Sequence, residues 1–68
     1  MPGSSFGDNL RAARIERGLS HEELSKSAGI DIATIYRLEA GARQPRLPTV
    51  LQLANALGIS GSDLIRGL

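Results

Sequence analysis

Cysteine is missing from the chain altogether. That excludes a disulfide framework and a thiolate metal site, two aids on which very small domains often depend. The single histidine has no cysteine to partner it, so a Cys–His catalytic pair is excluded too. No apolar run approaches the roughly 18 residues of a membrane span. The opening MPGSSFGDN has neither the basic region nor the apolar segment of a secretory signal. A cytoplasmic setting is expected, without a membrane partner.

Excess charge of either sign is lacking as well. Eight Lys/Arg against seven Asp/Glu leave a net charge of +1, too little to argue for a polyanionic partner by itself. The distribution is less even than the sum. After Glu39 the only acid is Asp63, whereas Arg43, Arg46 and Arg66 are all basic. A plain solvated surface accounts for this as readily as a polyanion site does.

Catalysis finds no foothold. Ser20 and His21 are adjacent but have no orienting acid in a pocket, and helix capping explains Ser20. Glu22-Glu23 is a pair at a helix start, not a spaced acid/base couple. HEEL is not the HExxH of zinc hydrolases. The glycines stand at helix ends rather than in a phosphate-cradling loop. No enzyme activity, cofactor, metal or small-molecule ligand is expected.

What the chain does have is helical punctuation. Sixty-eight residues make one domain with a small core. Met1 to Ser5 reads as a disordered tail, leaving residues 6–68 as the folded unit. From Phe6 to about Arg17 the period is helical, with Phe6, Leu10 and Ala13 on one face and Arg14 beside it. Gly18 stops this helix.

Ser20-His21-Glu22-Glu23 is a capping box, and Leu19 with Leu24 forms a hydrophobic staple around it. The second helix spans about His21 to Ala28. Gly29-Ile30-Asp31 then makes a link short enough for a sharp turn. Asp31 caps a third helix, Ile32 to Ala40, with Ile30 and Ile35 as its staple. A basic loop, Ala42 to Leu47, leads to Pro48 at the first position of a fourth helix. This one is apolar over most of its circumference and should be the most buried. Ser60 caps a short fifth helix ending near Gly67, with Asp63 at the box position and Ile59 and Leu64 as a third staple. No strand pattern competes. The expected class is all-α, with five helices.

The third helix carries the unusual surface. At 100° per residue, Ile35 and Leu38 face inward, and Ala33, Tyr36, Arg37 and Ala40 share the opposite arc. Ile32 lies at the edge of that arc. This mixture suits a DNA major groove. Ala33 permits close approach, Arg37 can donate two hydrogen bonds to guanine, and Ile32 can meet a thymine methyl. Tyr36 can hold a phosphate or a base edge. Ile32 to Arg37 spans about 7.5 Å, a window of roughly two base pairs. The plainer reading is that Ile32 and Tyr36 pack against each other and Arg37 is a surface charge.

Taken together, FGDNLRAARIERGLS, HEELSKSAG, TIYRLEAG, PRLPTVLQLANALGIS and DLIRGL resemble the Cro/XRE-type helix-turn-helix family. This is the lambda repressor-like DNA-binding domain of phage repressors and many bacterial regulators. The resemblance covers about residues 6–68. It rests on the spacing of Leu24, Gly29, Ile35, Leu38-Glu39, Gly41, Pro45, Leu53-Ala54 and Leu57-Gly58.

The resemblance implies a partly buried ion pair between Arg14 and Glu39. It implies base reading by Ile32, Ala33 and Arg37, with Tyr36 close by. Phosphate contacts are implied at Thr34, Arg43 and Arg46, and at His21, where the family usually has Gln. His21 departs from that Gln, and an idle exposed ring is the alternative to a phosphate contact. Ser25 stands where the family prefers Ala, and is expected to bond back along its helix.

The reading is a sequence-specific binder of double-stranded DNA, a transcriptional regulator or repressor. It is expected to act as a homodimer on a near-palindromic site. Candidate dimer contacts are Leu51, Ile59, Leu64, Ile65 and Leu68, which serve equally well as residues completing the monomer core. Two rivals stand beside this reading: an antitoxin or accessory protein-interaction module, and the DNA-binding fragment of a longer ligand-responsive regulator.

Overall fold

The computed structural model describes residues 5–66. It contains five α-helices: α1 (Phe6–Glu16), α2 (His21–Ala28), α3 (Ile32–Glu39), α4 (Leu47–Leu57) and α5 (Gly61–Ile65). Among the described residues there is no strand, and no helix is long and apolar enough to cross a membrane.

The helices are cut from the chain by one repeated device. Gly18-Leu19-Ser20, Gly29-Ile30-Asp31 and Gly58-Ile59-Ser60 each end one helix and start the next. At Gly29 the backbone turns left-handed (φ 69°), a conformation glycine adopts without a Cβ penalty. The next amide, from Ile30, then reaches back to the Ser25 carbonyl at 3.1 Å, closing a Schellman motif. The same bond recurs from Leu19 to Arg14 and from Ile59 to Ala54. The apolar residue of each tripeptide packs on the core and the polar one caps the following helix through its side chain. A single apolar side chain thus serves the end of one helix and the staple of the next.

Boundaries shift by about a residue from the sequence expectation. Arg17 and Ala40 are C-caps rather than helical residues. Leu47 is already helical and Pro48 occupies the second position of α4. Ser5, expected in a disordered tail, caps α1 by accepting the Asp8 amide at 3.1 Å; residues 1–4 lie outside the described residues. Asp63 departs from its expected box role. Ser60 Oγ accepts the Asp63 amide, but the Asp63 carboxylate takes Arg66 Nη2 at 2.7 Å instead of reaching back.

The core is a small set of fully buried side chains, Leu10, Leu24, Ile35, Leu38, Leu53, Leu57 and Leu64. Each stabilises the fold by about 1.5–3 kcal/mol through removal from water. α1 packs on α3 and α5, α2 on α3 and α4, and α4 on α5. α4 is not the enclosed helix its composition suggests. Val50, Leu53, Ala54 and Leu57 face inward, but Leu47 is 70% and Leu51 54% exposed. Its outer face is open, with Leu47 and Leu51 beside the exposed Gln52 and Asn55.

Two contacts set the pose of α1. Asn9 Nδ2 donates to the carbonyls of Leu64 and Arg66 at 2.9 and 2.6 Å, tying α1 to the end of α5. At Gly7, α1 meets the carbonyls of Leu38 and Glu39 so closely that a Cβ would stand 2.5 and 2.7 Å from their oxygens. The last turn of α3 is therefore seated against the first turn of α1.

Candidate nucleic-acid interface

The candidate surface is built on α2 and α3. The α2 start is fixed reciprocally: Glu23 N–H donates to Ser20 Oγ at 3.0 Å, and Ser20 N–H donates to Glu23 Oε1 at 2.8 Å. These bonds hold the Glu23 carboxyl below its usual pKa, the Ser20 backbone amide being the larger cause and the Ser20 hydroxyl the next. The turn into α3 is tied by Ser25, whose hydroxyl donates forward to the Ile30 carbonyl. It was expected to bond back along its own helix. The forward bond fills the inside of the turn. Asp31 Oδ2 then accepts the Ala33 amide at 3.1 Å and starts α3.

α3 buries Ile35 and Leu38 and turns Ile32, Tyr36 and Arg37 outward, while Ala33 and Thr34 are half-buried. Arg37 forms no ion pair among the described residues. Immediately after α3, the Ala42 amide bonds back to the Arg37 carbonyl at 2.9 Å, which anchors the loop carrying Arg43 and Arg46. Both arginines are exposed and neither is paired among the described residues. Arg46 also provides the N-cap position of α4, without a side-chain cap bond.

Behind this surface lies an ionic anchor. Arg14 Nε donates to Glu39 Oε2 at 2.7 Å and Arg14 Nη2 to Glu39 Oε1 at 3.3 Å. Arg14 Nη1 donates to the Leu19 carbonyl at 2.9 Å. One guanidinium therefore joins α1, the α1–α2 turn and α3. The two side chains are only 11% and 8% exposed. Among the described residues no buried side-chain nitrogen or oxygen lacks a partner.

His21 joins the same carboxylate. Its Nε2 lies 3.1 Å from Glu39 Oε1, and its ring stacks on Tyr36 at 4.1 Å between centroids, with the planes 20° apart. Nothing in the sequence pairs these two residues, His21 being expected at phosphate and Tyr36 at a phosphate or a base edge. The fold brings them into one assembly. They line a shallow depression of about 290 Å³ together with Arg11, Arg14, Glu39 and Ala40.

Residues 10–64 match the helix-turn-helix family. The chain belongs to this family, in its Cro/XRE type. Its helix-turn-helix is α2, the Gly29-Ile30-Asp31 turn and α3. The chain is 37% identical over 59 residues to an uncharacterized HTH-type transcriptional regulator of Sinorhizobium fredii, covering 87% of this chain and 77% of the relative. It is 45% identical over 62 residues to the HTH-type transcriptional repressor RghR of Bacillus subtilis, covering 90% of this chain and 46% of the relative. Other curated relatives are likewise spanned over only about half their length, 54% and 57% in two of them.

Solved structures agree on the fold. The restriction-modification controller protein C.AhdI of Aeromonas hydrophila superposes with a TM-score of 0.86 at 38% identity, over 88% of this chain and 91% of that one. The DNA-binding domain of the P22 c2 repressor gives 0.92 at 27% identity, over 98% and 88%.

The helix-turn-helix chain leaves a second open surface, and it revises the dimer candidates. Leu64 is fully buried. It belongs to the monomer core because the staple with Ile59 draws it under α5. Ile59 is half-buried against that core. Leu51 and Ile65 are 54% and 45% exposed, and Leu68 lies outside the described residues. A Cβ on Gly61 would lie 3.5 Å from Leu51 Cδ2, and Gly61 and Ile65 share a face of α5. Leu51 and Ile65 therefore edge one apolar surface across α4 and α5.

Some positioning residues were not anticipated. Gly7 sits in the second position of a helix, where glycine is disfavoured; that misplacement is a readable signal of close packing. Asn9 has no comparable signal. Leu47, read as loop, emerges as the most exposed large apolar residue among those described.

Proposed function

We propose that the chain binds double-stranded DNA in a sequence-specific manner and regulates transcription. α3 enters the major groove, α2 rests across the backbone, and the loop through Arg43 and Arg46 adds phosphate contacts. The observation that carries this is the outer face of α3. Ile32, Tyr36 and Arg37 project from a helix anchored at both ends, with Arg37 at the centre and Arg43 and Arg46 just beyond, none of the three paired among the described residues. An arginine that donates two hydrogen bonds is the commonest specific reader of guanine, and exposed arginines suit phosphate.

Support comes also from relatives named as transcriptional repressors and from the P22 c2 repressor, which has been solved with a synthetic operator (TM-score 0.85, 26% identity, 96% of this chain). One such module buries little DNA surface, and the apolar face at Leu51 and Ile65 suits a homodimer reading a near-palindromic site. Base reading is assigned to Ile32, Ala33, Tyr36 and Arg37, and phosphate contact to Thr34, Arg43 and Arg46. A cytoplasmic location accompanies this role.

The test is selection of bound duplexes from a random pool, followed by salt titration on the winner. A recovered palindromic motif and an affinity falling steeply with salt are expected. Recovery of no motif, with a flat salt response, would favour a protein-interaction module.

A further inference from the structure

We propose that His21 is a positioning residue for Tyr36, rather than an independent phosphate contact. The proposal rests on the DNA-binding reading above and gives that surface a specific internal organisation. His21 is the first residue of α2 and Tyr36 lies in the middle of α3. Their rings are nearly parallel at 4.1 Å. A half-exposed tyrosine on a helix can ordinarily choose among staggered side-chain rotamers. Here one ring face is covered by the imidazole, which restricts the choice to the rotamer that keeps the stack.

The imidazole is itself held. Its Nε2 is spent on Glu39 Oε1 at 3.1 Å. That carboxylate is 8% exposed and is fixed in turn by Arg14 through 2.7 and 3.3 Å bonds. The order of support runs from α1 (Arg14) to α3 (Glu39), across to α2 (His21), and back to α3 (Tyr36). The aromatic ring on the reading surface is thus locked by the same anchor that docks α3 on α1. Such locking removes an ordering cost at the moment of binding and holds the contact in one geometry.

The Glu39 carboxylate only accepts, so Nε2 donates to it and Nδ1 alone is left to face a phosphate; in the neutral ring Nδ1 is an acceptor and gives a phosphate oxygen no hydrogen bond. The ring instead supplies a stacking partner to Tyr36 on the facing helix.

The test compares His21→Ala, His21→Phe and Tyr36→Ala, singly and as His21→Ala/Tyr36→Ala. Binding is measured to the selected duplex, to duplexes changed one base pair at a time, and across salt, with thermal unfolding run on each variant. His21→Phe keeps an aromatic partner and loses the Glu39 bond. It should retain a preference between that of wild type and that of His21→Ala, whereas His21→Ala should lose roughly three- to tenfold of the preference at the base pairs that Tyr36→Ala also relaxes. The double variant should be no worse than Tyr36→Ala.

Two results would overturn the positioning role with the DNA-binding reading intact. One is equal loss for His21→Phe and His21→Ala on every duplex, with a salt slope reduced by about one. The other is full additivity in the double variant. If the wild-type chain prefers no duplex at all, the DNA-binding reading falls and this role with it.

Discussion

Gly7 of α1 lies directly against the carbonyl of Leu38 at the end of α3, with room for a hydrogen and no room for a carbon. Gly7→Ala should therefore destabilise the chain, although alanine is favoured in helices by roughly 1 kcal/mol. The clash is with backbone oxygens, which cannot swing aside as a flexible side chain can. A loss of about 1–3 kcal/mol is expected, the usual cost of overpacking. In a domain of this size each kcal/mol lowers Tm by about 4–8 °C. A calorimetric Tm equal to or above that of wild type would show that the α1–α3 approach is looser than described.

The buried pair Arg14–Glu39 makes a contrasting prediction. Glu39→Ala leaves a guanidinium that is almost enclosed, with only the Leu19 carbonyl as partner. The loss should be about 3–5 kcal/mol, since a stranded buried charge is costly. Replacing both partners together, Arg14→Met with Glu39→Leu, should recover much of it, because an apolar pair has no charge to desolvate. Chemical denaturation of the two variants beside wild type checks this. A double variant as unstable as the single would mean that the polar contacts to Leu19 and His21 are what holds the junction.

Acid should weaken the start of α2 only below the ordinary glutamate pKa. The Glu23 carboxylate is held below its ordinary pKa by the Ser20 amide. A carboxylate depressed in the folded state contributes stability above its unfolded pKa and loses it as pH falls through the lowered, folded value. The difference in Tm between wild type and Glu23→Gln should accordingly shrink as pH drops from neutral into the range below the ordinary glutamate pKa. The group is fully exposed, so the effect is small and is best read by comparing the two proteins across pH. A difference that stays constant through that range would remove the ionised capping bond as its source.

Almost all of the helix plan was legible in the sequence, and for a local reason. Gly29-Ile30-Asp31 and its two counterparts carry stop, staple and cap within three residues, so no distant contact is needed to read them. Side-chain partners that depend on helix crossing were legible only in part. Arg14–Glu39 came from the family resemblance, not from spacing. Asn9 reaches carbonyls 55 and 57 residues away, and nothing local marks it. The His21–Tyr36 stack needs the angle between α2 and α3, which the turn residues permit but do not specify. Leu64 stands open in the sequence between dimer contact and core, because a staple residue and an exposed apolar residue look alike until the helix is docked.

Leu51 now stands as the sharper dimer residue. It is half-exposed yet seated beside Gly61, so Leu51→Glu should change monomer stability by no more than ~0.5 kcal/mol. If the α4–α5 face joins two copies, the same substitution should shift sedimentation toward the monomer. It should also weaken binding to a full palindrome at least about tenfold while sparing an isolated half-site. Unchanged sedimentation and unchanged palindrome affinity would place the subunit contact elsewhere.

Arg37 and Arg43 offer the most direct separation of reading from positioning. Arg37 projects from the middle of the α3 outer face, whereas Arg43 lies on the loop beyond α3. A side chain that donates two hydrogen bonds to one base contributes about 1–3 kcal/mol of discrimination at that base pair. Arg37→Ala should accordingly flatten preference at one position of each half-site and leave the others. Arg43→Ala should weaken all duplexes alike and reduce the salt slope by about one, because a phosphate contact carries no sequence information. Both follow from the same titrations on the selected duplex and its single-pair variants. Equal losses on every sequence for Arg37→Ala would strip it of the reading role and leave α3 recognising DNA through Ile32, Ala33 and the locked Tyr36 alone.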